Sequence, residues 1–318
     1  MLAALVTSFD EPPHACSVPA PGPAGPGQLA LEVVAVGLHP RVRSGAAGKH
    51  YTSEGVLPLV PGIDGVGRRA DGRLVYFVTD DDARGSLAQR VIVDARRTVE
   101  LPAGVDPLVI AAAMNPAMSS WVALRRRVPL IDGARVLVLG ATGNAGTAAC
   151  RIARRLGAGE VVAAGRDESR LVAADVDVHV QLTSDADETA AALAAAAAEV
   201  DIVLDYLWGL PAQRAMTAIL TARPDRSRAL DWVQIGAVAG PTLELASVLL
   251  RSANLRLLGN GQGAVSPAGY AAELPSLVAE IAGGLLPITA RPVPLTDVER
   301  VWDEAEHPGE RVVFQPSR

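Results

Sequence analysis

The stretch from Val136 to Arg170, VLVLGATGNAGTAACRIARRLGAGEVVAAGRDESR, constrains this chain more than any other. An apolar strand over 135–139 runs into Gly140, Ala141, Thr142, Gly143, Asn144, Ala145 and Gly146, and a helix begins at once. Small residues let the backbone turn tightly and approach a pyrophosphate without obstruction by Cβ. Free N–H groups at the helix start then face the phosphates, aided by the helix dipole. Gly146 permits close packing of helix on strand. In strict register the fingerprint reads Ala141-x-Gly143-x-x-Gly146, with alanine at its first position. A lone glycine pattern is weak evidence. Strand, turn, amphipathic helix and second strand in this order make it a dinucleotide site. The competing reading is a glycine turn that merely packs.

The second strand, 160–164, ends in Gly165-Arg166-Asp167. In NAD sites a carboxylate at this tip accepts hydrogen bonds from the adenosine ribose, and it would repel a 2′-phosphate. Gly165 stands at the expected acidic position. Arg166 follows it, and Arg170, four residues on, faces the same way if a helix starts there. Guanidinium groups pair with phosphate through charge-assisted, often bidentate bonds. The expectation is therefore NADPH over NADH. A strand two residues longer would make Asp167 the ribose acid and reverse it; Asp167 is read here as a first-turn acid of the next helix.

Around this unit the chain has two textures. Residues 1 to about 115 read as short strands, at 29–36, 72–78 and 90–93, interrupted by proline and glycine as in a compact barrel. The Pro/Gly-rich segment Pro19–Gly27 reads as a loop between strands. From about 116, strands at 135–139, 160–164, 178–182, 201–205, 230–235 and 255–258 alternate with helices at 144–156, 167–174, 186–199, 211–221 and 242–252. This is the pattern of a doubly wound parallel sheet. A helix over 271–283, a β-prone piece, a capped helix from Thr296 to near Pro308-Gly309 and a last strand close the chain. The expected division is 1–115 with 271–318, and 116–270.

Composition excludes several classes. Hydrophobic residues make up 49% of the 318, enough for a large core, and the formal charge of −6 comes with no long basic stripe for nucleic acid. Arg125-Arg126-Arg127 reads as a solvated helix surface and Asp80-Asp81-Asp82 as an exposed loop. Cys16 and Cys150 form no C-x-x-C pair, so no thiolate zinc site is expected, and Cys150 reads as a small core residue. No signal peptide and no segment of roughly 18 uncharged apolar residues is read, so the expectation is a soluble, cytoplasmic protein with no membrane partner.

Five segments carry a resemblance: Pro61–Gly67 (PGIDGVG), Asn115–Leu124 (NPAMSSWVAL), Val136–Gly146, Asp201–Gly209 (DIVLDYLWG) and Leu255–Gly263 (LRLLGNGQG). In order and spacing the chain resembles the medium-chain dehydrogenase/reductase superfamily, in its zinc-free, quinone-oxidoreductase-like branch. The resemblance implies an α/β architecture: a GroES-like β-barrel domain in two sequence pieces with a Rossmann domain inserted between them. It also implies a homodimer. Where zinc members carry Gly-His-Glu, this chain has Gly62-Ile63-Asp64. Lacking a Lewis acid to ionise an alcohol, the branch favours reduction of an activated carbonyl compound. By the same resemblance Ser119, with Ser120, lies near the nicotinamide or its ribose. Leu207 flanks the coenzyme, and Gly236, Ala237, Leu258, Gly259 and Asn260 wall the nicotinamide.

The family's active-site loop often reads Asn-Pro-x-Asp/Glu; here it is His39-Pro40-Arg41-Val42-Arg43-Ser44-Gly45. A hydrogen-bond donor beside the substrate carbonyl would stabilise developing negative charge. Tyr51, His39 and Arg43 are the candidates, with His50 behind them. Each has a plain alternative: His39 as a loop residue, Tyr51 as a cover on the barrel, Arg43 as a partner of Asp64. Water could also supply the proton. His14, His179 and His307 read as peripheral. The leading function is NADPH-dependent reduction of a small-molecule quinone or α,β-unsaturated carbonyl compound. The alternatives are an enoyl reductase tailoring a polyketide or acyl thioester intermediate, and a non-enzymatic NADPH-binding protein.

Overall fold

Residues 28–37, QLALEVVAVG, alternate apolar and polar at first and then become apolar throughout. In the computed structural model, which describes residues 1–79, 83–305, 307 and 309–317, they form the longest strand. Asp80-Asp81-Asp82 and Pro308 lie outside the described residues. The chain divides into two units, Met1–Asn115 with Tyr270–Arg318, and Pro116–Gly269.

The first unit begins with an antiparallel ribbon of β1 (Leu2–Leu5) and β2 (His14–Ser17). There follow β3 (Gln28–Gly37), α1 (Pro40–Ala46), β4 (Asp64–Arg68), β5 (Leu74–Val78), β6 (Arg90–Asp94), β7 (Thr98–Glu100) and α2 (Pro107–Val122), whose residues from Pro116 on belong to the second unit. A register shift between Val33 and Ala35 where β3 meets β4 brings Ala35 and Val36 both into the core.

In the second unit the strands are β8 (Arg135–Leu139), β9 (Glu160–Gly165), β10 (Val178–Gln181), β11 (Ile202–Asp205), β12 (Leu230–Gln234) and β13 (Leu255–Gly259). Between them run α3 (Asn144–Arg155), α4 (Glu168–Val172), α5 (Ala186–Ala197), α6 (Gly209–Ala222) and α7 (Ser247–Ser252). All pair in parallel, in the order β10-β9-β8-β11-β12-β13. The central strands are continuous apolar runs, as burial on both faces requires. The order reverses between β8 and β11, and ligands of open parallel sheets bind beyond the strand C-termini at that switch point.

The returning segment carries α8 (Pro267–Ala282), β14 (Thr289–Pro294), α9 (Val298–Val301) and β15 (Glu310–Gln315). It completes a mixed sheet in the first unit, ordered β14-β15-β3-β4-β5-β7, with β6 also on β3. Leu31, Val36, Phe77, Val93, Val298 and Phe314 are among the residues of its core.

Several sequence expectations need correction. Helix enters the β-rich part early: Asp106 accepts from the Leu108 N–H at 2.9 Å and Pro107 pre-sets the first turn, so α2 starts well before 116. Extended by a π-turn to Arg127, this helix is 21 residues with mean hydropathy 1.3, long and apolar enough to cross a membrane by composition. The sequence reading had no such segment; the helix absorbs Pro116 and the two serines and is mostly buried in the protein. The helix expected over 242–252 shrinks to α7, since Pro241 opens an extended stretch whose Glu244 N–H donates to Gln213 Oε1. The helix from Thr296 ends at Val301.

Candidate functional site

The coenzyme turn is built by close approach. Gly140 has φ +91, a conformation that favours glycine. A Cβ on Gly146 would lie 2.2 Å from the Gly140 carbonyl oxygen and 2.7 Å from Ala141 Cα, so only glycine lets α3 sit this close to β8. Thr147 Oγ1 braces the turn by donating to Ala141 O at 3.0 Å. Gly143 caps α3 and is exposed; Thr142, Asn144 and Ala145 are half-buried. The first N–H groups of a twelve-residue helix have no partner within the helix, the kind of end at which anions bind.

At the end of β9 the missing carboxylate has a steric reason. A Cβ on Gly165 would meet the Thr142 side chain at 2.5 Å. Asp167 caps α4, accepting from the Arg170 N–H at 3.2 Å and from Ser169 Oγ at 2.7 Å. The Ser169 hydroxyl, with the Arg170 N–H and charge, holds the Asp167 carboxyl below its usual range despite some desolvation. Arg166 is exposed and Arg170 half-buried, and among the described residues neither guanidinium makes an ion pair or hydrogen bond. Burial lowers the Arg170 pKa, with Asp167 opposing it.

At the opposite end, beyond β11, β12 and β13, a buried polar network holds the predicted wall. Asp205 is fully buried. Its Oδ1 accepts from the N–H groups of Leu207 (2.8 Å) and Trp208 (2.9 Å), and its Oδ2 from Trp232 Nε1 (2.9 Å). Desolvation raises its pKa against those three donors. Trp208 sits at φ +53, a conformation non-glycine residues rarely adopt, and the Asp205 carboxylate holds it there. Burial lifts Tyr206 to about 12, so its hydroxyl stays a donor. It lies 3.0 Å from Ser119 Oγ, which itself donates to Pro116 O at 3.1 Å. Asn260 Nδ2 donates to Ser119 O at 2.8 Å, Gln234 Nε2 to Gly236 O at 3.0 Å, and Arg127 Nε to Gly259 O at 2.9 Å. Thus Ser119, Leu207, Gly236 and Asn260 are joined through one network, while exposed Gly259 is held by Arg127 and Ala237 is exposed at the margin. Asp205, Tyr206 and Gln234 were not singled out from the sequence. A carboxylate ending the apolar run IVLD was the available signal, since a buried charge demands partners.

The candidates of the first unit separate. His39 caps α1 and is 1% exposed. Its Nε2 lies 3.1 Å from Asp64 Oδ1, while Tyr76 Oη donates to Asp64 Oδ2 at 2.8 Å. Burial, then the Asp64 charge, push the Tyr76 pKa well above 10, so it remains a donor. A carboxylate between two donors accepts from both, which places the His39 proton on Nε2 and leaves Nδ1 buried without a hydrogen-bond partner. The pairing of Arg43 with Asp64 is corrected: His39 and Tyr76 occupy that carboxylate, and Arg43 donates to the carbonyls of Trp302 and Glu304. Tyr51 does not cover the barrel; it is 68% exposed and stacks on His50 with ring centroids 4.2 Å apart. Among the described residues, no three or more His, Cys, Asp or Glu side chains cluster as metal ligands would.

No family model matches the chain. It is 34% identical, over 363 aligned positions covering 99% of it and all of the relative, to tdiC of Emericella nidulans, a probable NADPH-dependent quinone reductase. The chain belongs to the quinone-oxidoreductase branch of the medium-chain dehydrogenase/reductase superfamily. A mycocerosic acid synthase-like polyketide synthase of Mycobacterium tuberculosis matches 92% of this chain at 28% identity, through 14% of its own length. The fold of this branch is shared with the quinone oxidoreductase of Thermus thermophilus, whose complex with NADPH is solved: TM-score 0.74 at 24% identity, over 99% of this chain and all of that one.

Proposed function

We propose that this protein is an NADPH-dependent reductase delivering a hydride to a quinone or an α,β-unsaturated carbonyl compound, without a metal. The observation that carries the reading is the end of β9. Gly165 packs on Thr142, Asp167 is consumed as a helix cap, and Arg166 and Arg170 are uncommitted. A doubly charged phosphate ester suits that corner and a diol does not. The strong match to a probable NADPH-dependent quinone reductase supports it.

The reduced nicotinamide, when bound, supplies the hydride. The residues of the chain do the rest. The N-terminus of α3 seats the diphosphate, Arg166 and Arg170 hold the 2′-phosphate, and the Asp205–Tyr206–Ser119–Asn260 network fixes the wall beside the nicotinamide. Reduction also needs a proton on the substrate oxygen or carbon. Water is the proposed source of that proton, since the His39 ring proton is engaged by Asp64 through Nε2 and Nδ1 carries none. Asp64 stands where zinc members have glutamate, and here His39 and Tyr76 engage it.

The polyketide synthase match favours a second reading, reduction of an enoyl thioester. NADPH oxidation followed across quinones, simple enones and enoyl thioesters separates the readings. Turnover of quinones or enones supports the first, and turnover of thioesters alone the second. NADPH binding without oxidation of any of them contradicts both and leaves a binding protein. With quinone turnover established, His39→Gln is expected to leave kcat within about twofold while NADPH affinity holds; a kcat lowered about a hundredfold would assign the proton to His39 instead.

A cytoplasmic homodimer belongs to the same reading. Among the described residues the edge strand β13 has an unpaired side, and it exposes Leu257 at 38%. A monomeric wild type in sedimentation would remove this part.

A further inference from the structure

Two neighbouring helices of the second unit leave a groove that their own side chains do not fill. α5 joins β10 to β11, and α6 joins β11 to β12. Both connections move the same way across a parallel sheet, so right-handed crossovers put the helices on one face, running in the same direction. They pack side by side, with Leu193 of α5 and Met216 and Ile219 of α6 buried in the core beneath. On the outer side a groove of about 540 Å³ runs between them. Ala190 and Ala194 line it from α5, and Thr217, Ala218 and Thr221 from α6. At three- and four-residue spacing these short side chains form low ridges along one side of each helix. Alanine loses no rotamer freedom on contact, and low ridges let a further helix approach to about 8–10 Å.

The charges at one end of the groove say what fits it. Asp187, in the first turn of α5, and Arg214, early in α6, both line it. Both are exposed, and among the described residues neither side chain makes an ion pair or a hydrogen bond. A partner of one sign would attract one of them and repel the other. A second copy attracts both. A two-fold axis parallel to the helices sets α5 of each copy opposite α6 of the other, with the same ends level. Asp187 then meets Arg214 of the partner subunit, Arg214 meets the partner's Asp187, and the short ridges face each other between them. We propose that the α5–α6 face is a contact between two copies of this chain, closed by reciprocal Asp187–Arg214 pairs. It is separate from the β13 edge, which lies at one end of the strand order.

The test is the state of association. Two short helices make a small face, so the contact is concentration-dependent, and sedimentation equilibrium over a dilution series measures it. Wild type is compared with Asp187→Arg, with Arg214→Asp and with the variant carrying both exchanges. Each single change sets like charges against each other twice across the axis and is expected to weaken the association about a hundredfold. The double exchange restores opposite charges and is expected to restore wild-type association, which also shows that the losses are not failures of folding. Leu257→Arg, which disturbs the β13 edge alone, is expected to leave this association in place. A wild type that is monomeric at every concentration overturns the proposal and leaves the groove to another protein or to solvent. So does an association that neither single variant changes, that the double exchange does not restore, or that Leu257→Arg abolishes.

Discussion

The two ends of the parallel sheet solve opposite problems. Beyond β9 the groups are exposed or half-buried, charged and left without partners: Arg166 and Arg170, with the nearby carboxylate turned into a helix cap. Beyond β11 and β13 they are buried, mostly neutral and tied together: Asp205 to Trp232, Tyr206 to Ser119, Ser119 to Asn260. A phosphate is recognised by charges that wait in water. A planar ring is placed by a wall that cannot move. On the proposed reading, affinity is concentrated at the first end and geometry at the second.

Disturbing the hinge common to both ends should cost most. Gly146→Ala puts a methyl against the Gly140 carbonyl, with no side chain to give way. A loss of roughly 3 kcal/mol in chemical unfolding is expected, with coenzyme affinity falling at both ends. A folded variant of wild-type stability would show that the turn has slack. Next comes Asp205→Asn, which sets an amide N–H against Trp232 Nε1–H or leaves two backbone donors unserved. About 2 kcal/mol of stability should be lost. Affinity for 2′-phospho-ADP-ribose should be kept while NADP+ affinity falls; equal losses for both would erase the distinction between the two ends. The smallest effect on the fold is expected from Gly165→Asp combined with Thr142→Ala. Thr142 occupies the space the new side chain needs. The pair should therefore gain NADH use, whereas Gly165→Asp alone should lose NADPH affinity without that gain. A single variant that uses NADH well would mean the Thr142 contact does not decide the choice.

The same contrast explains what the sequence could reveal. The glycine turn, the end of β9 and the six parallel strands were legible, because each depends on neighbours a few residues away: Gly146 on Gly140, Arg170 on Asp167. The buried wall was not. Ser119 meets Asn260 across 141 positions and Tyr206 across 87, and nothing near Asn260 in the chain announces that separation. Tyr206, between Asp205 and Leu207 just past a strand, was not singled out. In the first unit, His39, Asp64 and Tyr76 each had an ordinary local reading, as loop, ion-pair partner and strand. Their hydrogen bonds appear only when β4 and β5 are paired beside the start of α1. The early start of α2 was local, written in Asp106-Pro107.

The central claim is that two uncommitted guanidinium groups beyond β9 choose the coenzyme. The direct measurement is the ratio of kcat/KM for NADPH to that for NADH, in wild type and in Arg166→Ala/Arg170→Ala. Wild type should favour NADPH by about a hundredfold or more, the worth of two charge-assisted contacts, and the double variant should lose most of that preference by losing NADPH efficiency alone. A wild type that prefers NADH, or a double variant that retains its NADPH preference, would contradict the account.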